Sequence, residues 1–316
     1  MANDIPCDFI LQLEKIQKYI EIKPEDNKNL NQLLVDIGYY RLSRYGKILL
    51  SIHNAKQPSY LLLRLYNFDK ELRVLLFRYC KICELQIKSY ISNYVSLETS
   101  DSEFYLNDVY YTKSKGEKDK KRKKNNIDKF SGFIKSIKDK ESFCRKVTNL
   151  YPEFSAYTLS GFKSGKKIPS WAIFSQFEFG TIIVLFSYLN LKYKKKILRN
   201  KYPSLASANG AVLFYNWLKR LNQVRNCCAH HNILIHKNFP QINRDVFNEE
   251  INLLNNTQDL FSILYVLKKV LPLKDTERLY EELKKLIIIN EIDVEKYRIL
   301  PQNWEELYFK VKNLYV

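Results

Sequence analysis

No stretch of this 316-residue sequence reaches the roughly 18 consecutive apolar residues that a membrane-crossing helix requires. The longest candidates, 182–189 and 261–271, are short or interrupted, so the chain is expected not to span a membrane. Met1-Ala2-Asn3-Asp4 offers no basic segment leading into an apolar one, which argues against export and for a cytoplasmic protein. The cysteines, at 7, 80, 83, 144, 227 and 228, read as reduced side chains and not as a disulfide frame. Cys80-x-x-Cys83 lies in an apolar helical run with no second Cys pair or ligand-spaced His nearby, so buried structural cysteines are expected there instead of a metal site. Lys163-Ser164-Gly165-Lys166-Lys167 is a basic turn without the G-x-x-x-x-G-K-[ST] spacing of a nucleotide-binding loop. Neither metal nor cofactor is expected. Internal repeats and regular runs of alternating strands are likewise missing.

Acidic residues are too few to balance the basic ones: 34 Asp and Glu stand against 52 Lys and Arg, a formal charge of +18. A charge this far from zero favours a polyanionic partner and opposes the compact state through self-repulsion. Hydrophobic residues make up 46% of the chain, enough for a substantial core. Two segments concentrate the charge. Residues 113–124 hold eight basic and two acidic side chains and nothing apolar, a composition that predicts an exposed, mobile loop whose Lys120, Lys121, Arg122, Lys123 and Lys124 are candidates to grip a nucleic-acid backbone. Residues 192–201 supply six basic residues in ten, with Lys194, Lys195 and Lys196 as a second candidate patch. A merely solvated face is the plain alternative for both.

Apolar spacing of three and four predicts a helix over 4–22, closed by Pro24. Gly38 is expected to end one helix before the aromatics of Tyr39-Tyr40-Arg41 begin another. From 59 to 94 the periodicity runs on without Gly or Pro, predicting one long helix or a closely joined pair. Within it Glu84 reads as a solvated or intrahelical ion-pair member, with orientation of a base or pairing with arginine as the functional alternative. Further helices are expected over 130–150, from Ile168-Pro169-Ser170-Trp171 through 189, from Pro203-Ser204 through Leu221, and near 246–271, 276–289 and 304–311.

The densest chemistry lies in Leu221-Asn222-Gln223-Val224-Arg225-Asn226-Cys227-Cys228-Ala229-His230-His231. On a helical wheel Trp217, Leu221, Val224 and Cys228 form a buried stripe, while Asn226 and His230 share the opposite side. Arg225 projects about 100° from Asn226, with a stem long enough to reach toward His230. Guanidinium beside imidazole suits a phosphate: bidentate oxyanion contact and proton transfer near neutral pH.

Arg225-Asn226-x-x-x-His230 resembles the R-N-x-x-x-H signature of HEPN ribonucleases, and the form Arg-Asn-x-Cys-Ala-His-His is similar to that of Abi-like proteins of the AbiD/AbiF abortive-infection type. Four other segments agree in order: Gly38-Tyr39-Tyr40-Arg41-Leu42-Ser43 with Arg44 where the family usually has glycine; Leu65-Tyr66-Asn67-Phe68-Asp69-Lys70-Glu71-Leu72-Arg73; Pro169-Ser170-Trp171 with Phe179-Gly180-Thr181; and Pro301-Gln302-Asn303-Trp304. Ser175 stands where a glutamate is common, which leaves that glutamate's polar role without a carrier; the aromatics of that segment are expected in the core.

The resemblance implies an all-α fold, a HEPN-type helical bundle with additional N- and C-terminal helices: N-terminal helices about 1–57, a HEPN-like core about 58–240 that includes the 113–124 loop, and C-terminal helices about 241–316. It implies one motif per chain and therefore a homodimer whose two motifs share a cleft. The expected activity is metal-independent endoribonuclease cleavage in anti-phage defence. The ribose 2′-hydroxyl attacks the adjacent phosphodiester and leaves 2′,3′-cyclic phosphate and 5′-hydroxyl ends. His230 would transfer the proton, Arg225 would hold and neutralise the transition state, and Asn226 would orient His230 or a phosphate oxygen. His231 and His236 are secondary candidates, and Arg41 is a further RNA contact. The alternatives are a non-catalytic protein that binds or scaffolds a structured small RNA, and a toxin silenced by an antitoxin or other regulator.

Overall fold

The computed structural model describes residues 8–113, 120–146, 167–239 and 258–316. The expectations placed on 114–119, 147–150, most of the basic turn at 163–167 and the start of the 246–271 stretch lie outside the described residues.

Twelve α-helices carry the described residues, with one two-stranded parallel pairing of Ile20–Glu21 (β1) against Gln57–Pro58 (β2). Ser59–Thr99 (α4) is the axis. It has no Gly or Pro along its length, so nothing interrupts the i to i−4 ladder over about 60 Å at 1.5 Å per residue. It resolves the choice between one helix and a pair in favour of one. Phe9–Ile16 (α1), Asn27–Ile37 (α2) and Tyr39–His53 (α3) pack together at its N-terminal end. Ser170–Ile173 (α6), Phe179–Tyr188 (α7), Leu191–Lys201 (α8) and Ala208–Ala229 (α9) cover its middle and far portions, with α9 making the broadest contact. Leu260–Val270 (α10), Leu273–Ile289 (α11) and Trp304–Lys310 (α12) close the remaining side. The buried apolar side chains form one continuous cluster through all these helices.

Gly38 divides α2 from α3 at φ 80°, a left-handed conformation that a side chain would strain, as the sequence suggests. Gly210 is required for a different reason: a Cβ there would sit 2.3 Å from the Leu205 carbonyl oxygen, where the chain turns into α9.

Five sequence expectations need correction. The helix over 4–22 ends at Ile16, because Ile20 and Glu21 pair with β2 and the Lys23 amide donates to Ser59 Oγ at 2.9 Å. The basic segment is not a loop throughout: Lys120–Lys146 (α5) is helical from residue 120. Phe130, Ile134 and Ile137 are buried, and lysine and arginine propagate a helix that those apolar positions anchor. The helix expected across 168–189 breaks between α6 and α7, where Phe174 and Phe177 turn inward onto Tyr105 at 5.9 and 6.1 Å. Trp171, expected in the core, is 51% exposed. Finally, Pro203 opens only a 3₁₀ turn, and α9 starts after Ser207, whose side chain accepts the Gly210 amide at 2.9 Å.

Candidate active site

The site is built where α9 crosses α4. Trp217, Leu221, Val224 and Cys228 form the buried stripe of α9, and each large apolar side chain so buried contributes about 1.5–3 kcal/mol. That packing fixes the rotation of the helix, leaving Arg225 and Asn226 half-buried and His230 exposed.

Arg225 is held from below. Its Nε lies 3.4 Å from Oε2 of Glu84, a carboxylate only 2% exposed; the N–H is not aligned on that oxygen, so the contact is electrostatic and not a hydrogen bond. Lys81 and Lys88 pair with the same carboxylate at 2.9 Å each. Burial alone would push the Glu84 carboxyl up, but the hydrogen bonds and charges of Lys88 and Lys81 outweigh it and hold the group below the ordinary carboxylate range. Both readings of Glu84 thus hold together: it pairs within its own helix and it also carries the motif arginine. Arg225 Nη1 in turn donates to Asn226 Oδ1 at 3.0 Å.

The end of α9 sets the histidines. The His230 amide donates to the Asn226 carbonyl at 3.0 Å, that of His231 to Cys228 at 3.1 Å and that of Asn232 to Cys227 at 3.0 Å. The last two bonds are the pair that closes a Schellman turn, and His231, at φ 54°, occupies the left-handed position where glycine is usual. The chain then runs back beside α4, where Asp69 fastens it: Oδ1 accepts the Leu234 and Ile235 amides at 3.0 and 2.9 Å, and Oδ2 accepts the Tyr45 hydroxyl at 2.7 Å and the Arg73 guanidinium. Burial pushes this carboxyl up, yet every neighbour is a donor, so the geometry fits the ionised form. The Asp69-x-x-x-Arg73 segment is therefore the clamp that places the turn after His230.

Asn226 and His230 open together onto a cleft of about 350 Å³, with Gln223, Cys227, Asn232 and Lys237 around them. Arg225 does not line it and is joined to it through Asn226. Burial raises the Cys227 and Cys228 thiols, the latter to about 12, so neither supplies a thiolate near neutral pH. Among the described residues, no three His, Cys, Asp or Glu side chains converge as metal ligands.

The other predicted residues disperse. His231 and Arg41 line a second groove, beyond Asn232. His236 is bonded through Nε2 to the Tyr297 carbonyl and stands outside the cleft. Lys194 donates to the Ser187 carbonyl at 2.6 Å, and Lys196 pairs with Glu98 at 3.0 Å, while Lys195 is half-buried beside them. Lys124 is exposed on α5, and Lys120, Lys121, Arg122 and Lys123 belong to the same helix. Sequence reasoning missed Lys237 and the clamping role of Asp69. The first had only its nearness to the motif as a signal; the second had an acid and a base four apart on one helix.

A family model for Abi-like proteins matches the chain over residues 32–236. No curated protein and no solved structure matches the chain. The matched span contains α4, the Asp69 clamp, Glu84 and the whole of the cleft-forming helix, and no described helix is long and apolar enough to cross a membrane. The chain belongs to the Abi-like protein family, which associates it with abortive-infection defence.

Proposed function

We propose that the protein is a HEPN-type endoribonuclease of abortive infection that acts without a metal ion. The observation that carries this reading is the exposed His230 sharing one cleft with Asn226, while a buried carboxylate orients Arg225 directly behind them. In the reaction the ribose 2′-hydroxyl attacks the neighbouring phosphorus and the bond to the 5′-oxygen of the next nucleotide breaks. The proton leaves the 2′-oxygen and one is delivered to the 5′-oxygen, giving 2′,3′-cyclic phosphate and 5′-hydroxyl ends. His230 serves as base or acid, and Arg225 or Lys237 neutralises the charge gathering on the phosphoryl oxygens. Since Arg225 stands behind Asn226 and one chain supplies a single motif, a homodimer that opposes two such clefts completes the site, with one imidazole as base and the other as acid.

Labelled RNA incubated with purified protein tests the reading. His230→Ala is expected to lower cleavage by about 10²–10⁴-fold, with Arg225→Ala comparably impaired and both variants retaining the helical circular dichroism of the parent. Preserved cleavage in both variants refutes the site. An RNA band shifted but intact in the wild type would instead favour a non-catalytic scaffold for a structured small RNA, which the position of Arg225 outside the cleft lining also suits. A partner that suppresses cleavage when added would identify a regulated toxin.

A further inference from the structure

A second, larger concavity lies on the other side of Asn232, with a volume of about 820 Å³. Its rim is basic. Arg41, Arg44 and Lys70 are exposed and form no ion pair among the described residues, whereas Asp36 is the one acid that faces the groove free of a basic partner. Its surface is aromatic as well: Tyr40 is 72% exposed, with the Arg44 guanidinium 5.3 Å over its ring, and Tyr66 and Phe77 lie half-buried below. Arg73 also lines the groove but is buried and neutralised by Asp69, so the unpaired positive charge is that of Arg41, Arg44 and Lys70.

Continuity gives this shape its meaning. Asn232 lines both the groove and the His230 cleft, and His231, held in the left-handed turn between them, faces the groove. The two openings therefore adjoin at Asn232. Exposed rings interleaved with cations are the surface that unpaired nucleotides select, with bases stacking on π-faces and phosphates meeting guanidinium and ammonium groups. A paired base, already stacked and hydrogen-bonded within an A-form helix, offers no free face to Tyr40.

We propose that this groove is a docking track for a single-stranded segment of RNA, which stacks unpaired bases on Tyr40 and the rings beneath it, and leads the strand past Asn232 to His230. The proposal rests on the ribonuclease reading and deepens it by naming unpaired RNA as the form of substrate the site admits.

Fluorescence anisotropy in the His230→Ala protein isolates binding from cleavage. The probes are a labelled single-stranded RNA oligonucleotide, the same strand annealed to its complement, and unlabelled UMP and AMP as competitors. The single strand is expected to bind more tightly than the duplex, and the free mononucleotides to compete only weakly. Tyr40→Ala should weaken the single strand roughly tenfold, while Tyr40→Phe retains its affinity. Arg41→Ala combined with Arg44→Ala should weaken it further and reduce the steepness of its salt dependence. With His230 restored, the groove variants should raise KM for a single-stranded substrate and leave kcat unchanged. Equal affinity for the single strand in the His230→Ala parent and its groove variants, preference for the duplex, or competition by free mononucleotide as strong as by the strand would each overturn the proposal. The two readings fail separately: cleavage with unaltered KM in the groove variants removes the track and leaves the nuclease, whereas groove-dependent binding of RNA without cleavage removes the nuclease and leaves the track.

Discussion

Glu84 is the residue on which the motif arginine depends. Its carboxylate is 2% exposed and meets Lys81, Lys88 and Arg225, so one negative charge restrains three positive ones. Replacing it by glutamine keeps the shape and removes the charge. Lys81, 37% exposed, can turn to water, but Lys88, at 11%, and Arg225 cannot do so fully. We expect Glu84→Gln to lose about 1–3 kcal/mol of stability. Cleavage should fall by about 10–100-fold through misplacement of Arg225, measured as kcat in the labelled-RNA assay. The pH dependence follows from the lowered carboxyl: a group depressed in the folded state contributes stability above its unfolded value of 4.5 and loses it as pH falls through the folded value. Urea midpoints of the wild type should therefore drop on acidification below about pH 4.5, and those of Glu84→Gln should drop less. Matching acid profiles for the two proteins would show that Glu84 carries no such linkage.

Among the elements, the segment that follows α9 depends on a single side chain from another helix. Asp69 accepts both the Leu234 and Ile235 amides while it neutralises Arg73, itself 7% exposed on the side chain. Asparagine there would leave a buried guanidinium without its counter-charge and present N–H where an amide already donates. Asp69→Asn is expected to cost about 3–5 kcal/mol. The Leu234 and Ile235 amides should then exchange with deuterium much faster than those of the buried centre of α4. Unchanged protection at those two amides would remove Asp69 from the role of clamp. The same comparison shows what could be read from residue order. The burial of the α9 stripe, the exposure of His230, the length of α4 and the break at Gly38 follow from periodicity and backbone rules acting within one element. The Asp69 clamp, the approach of Glu84 to Arg225 and the entry of Lys237 into the cleft join residues far apart in sequence or depend on a turn. Spacing within one helix does not encode them. The halt of α1 at Ile16 has the same origin, since β1 is formed by its pairing with β2 and not by its own propensity.

For the molecule as a whole, the charge of +18 is not confined to the two sequence patches. In the 192–201 segment Lys194 and Lys196 are engaged by the chain itself, whereas Arg41, Arg44 and Lys70 around the aromatic groove are available to a phosphate backbone. Cleavage that relies on such contacts should weaken steeply with salt, because each phosphate neutralised releases counterions to solution. The chemistry proposed at His230 and Arg225 uses only protons and fixed charge, so activity at constant ionic strength should survive exhaustive EDTA treatment. The same dialysed sample, diluted serially, separates the remaining requirement. If two clefts must face each other, specific activity should fall as the dimer dissociates, following the dissociation curve from analytical ultracentrifugation. Activity abolished by EDTA and restored by a divalent ion would replace the proposed proton-transfer chemistry with metal-assisted hydrolysis. Specific activity that stays constant through the monomer range would place a complete site in one chain and require Arg225 to reach the cleft by its own rearrangement.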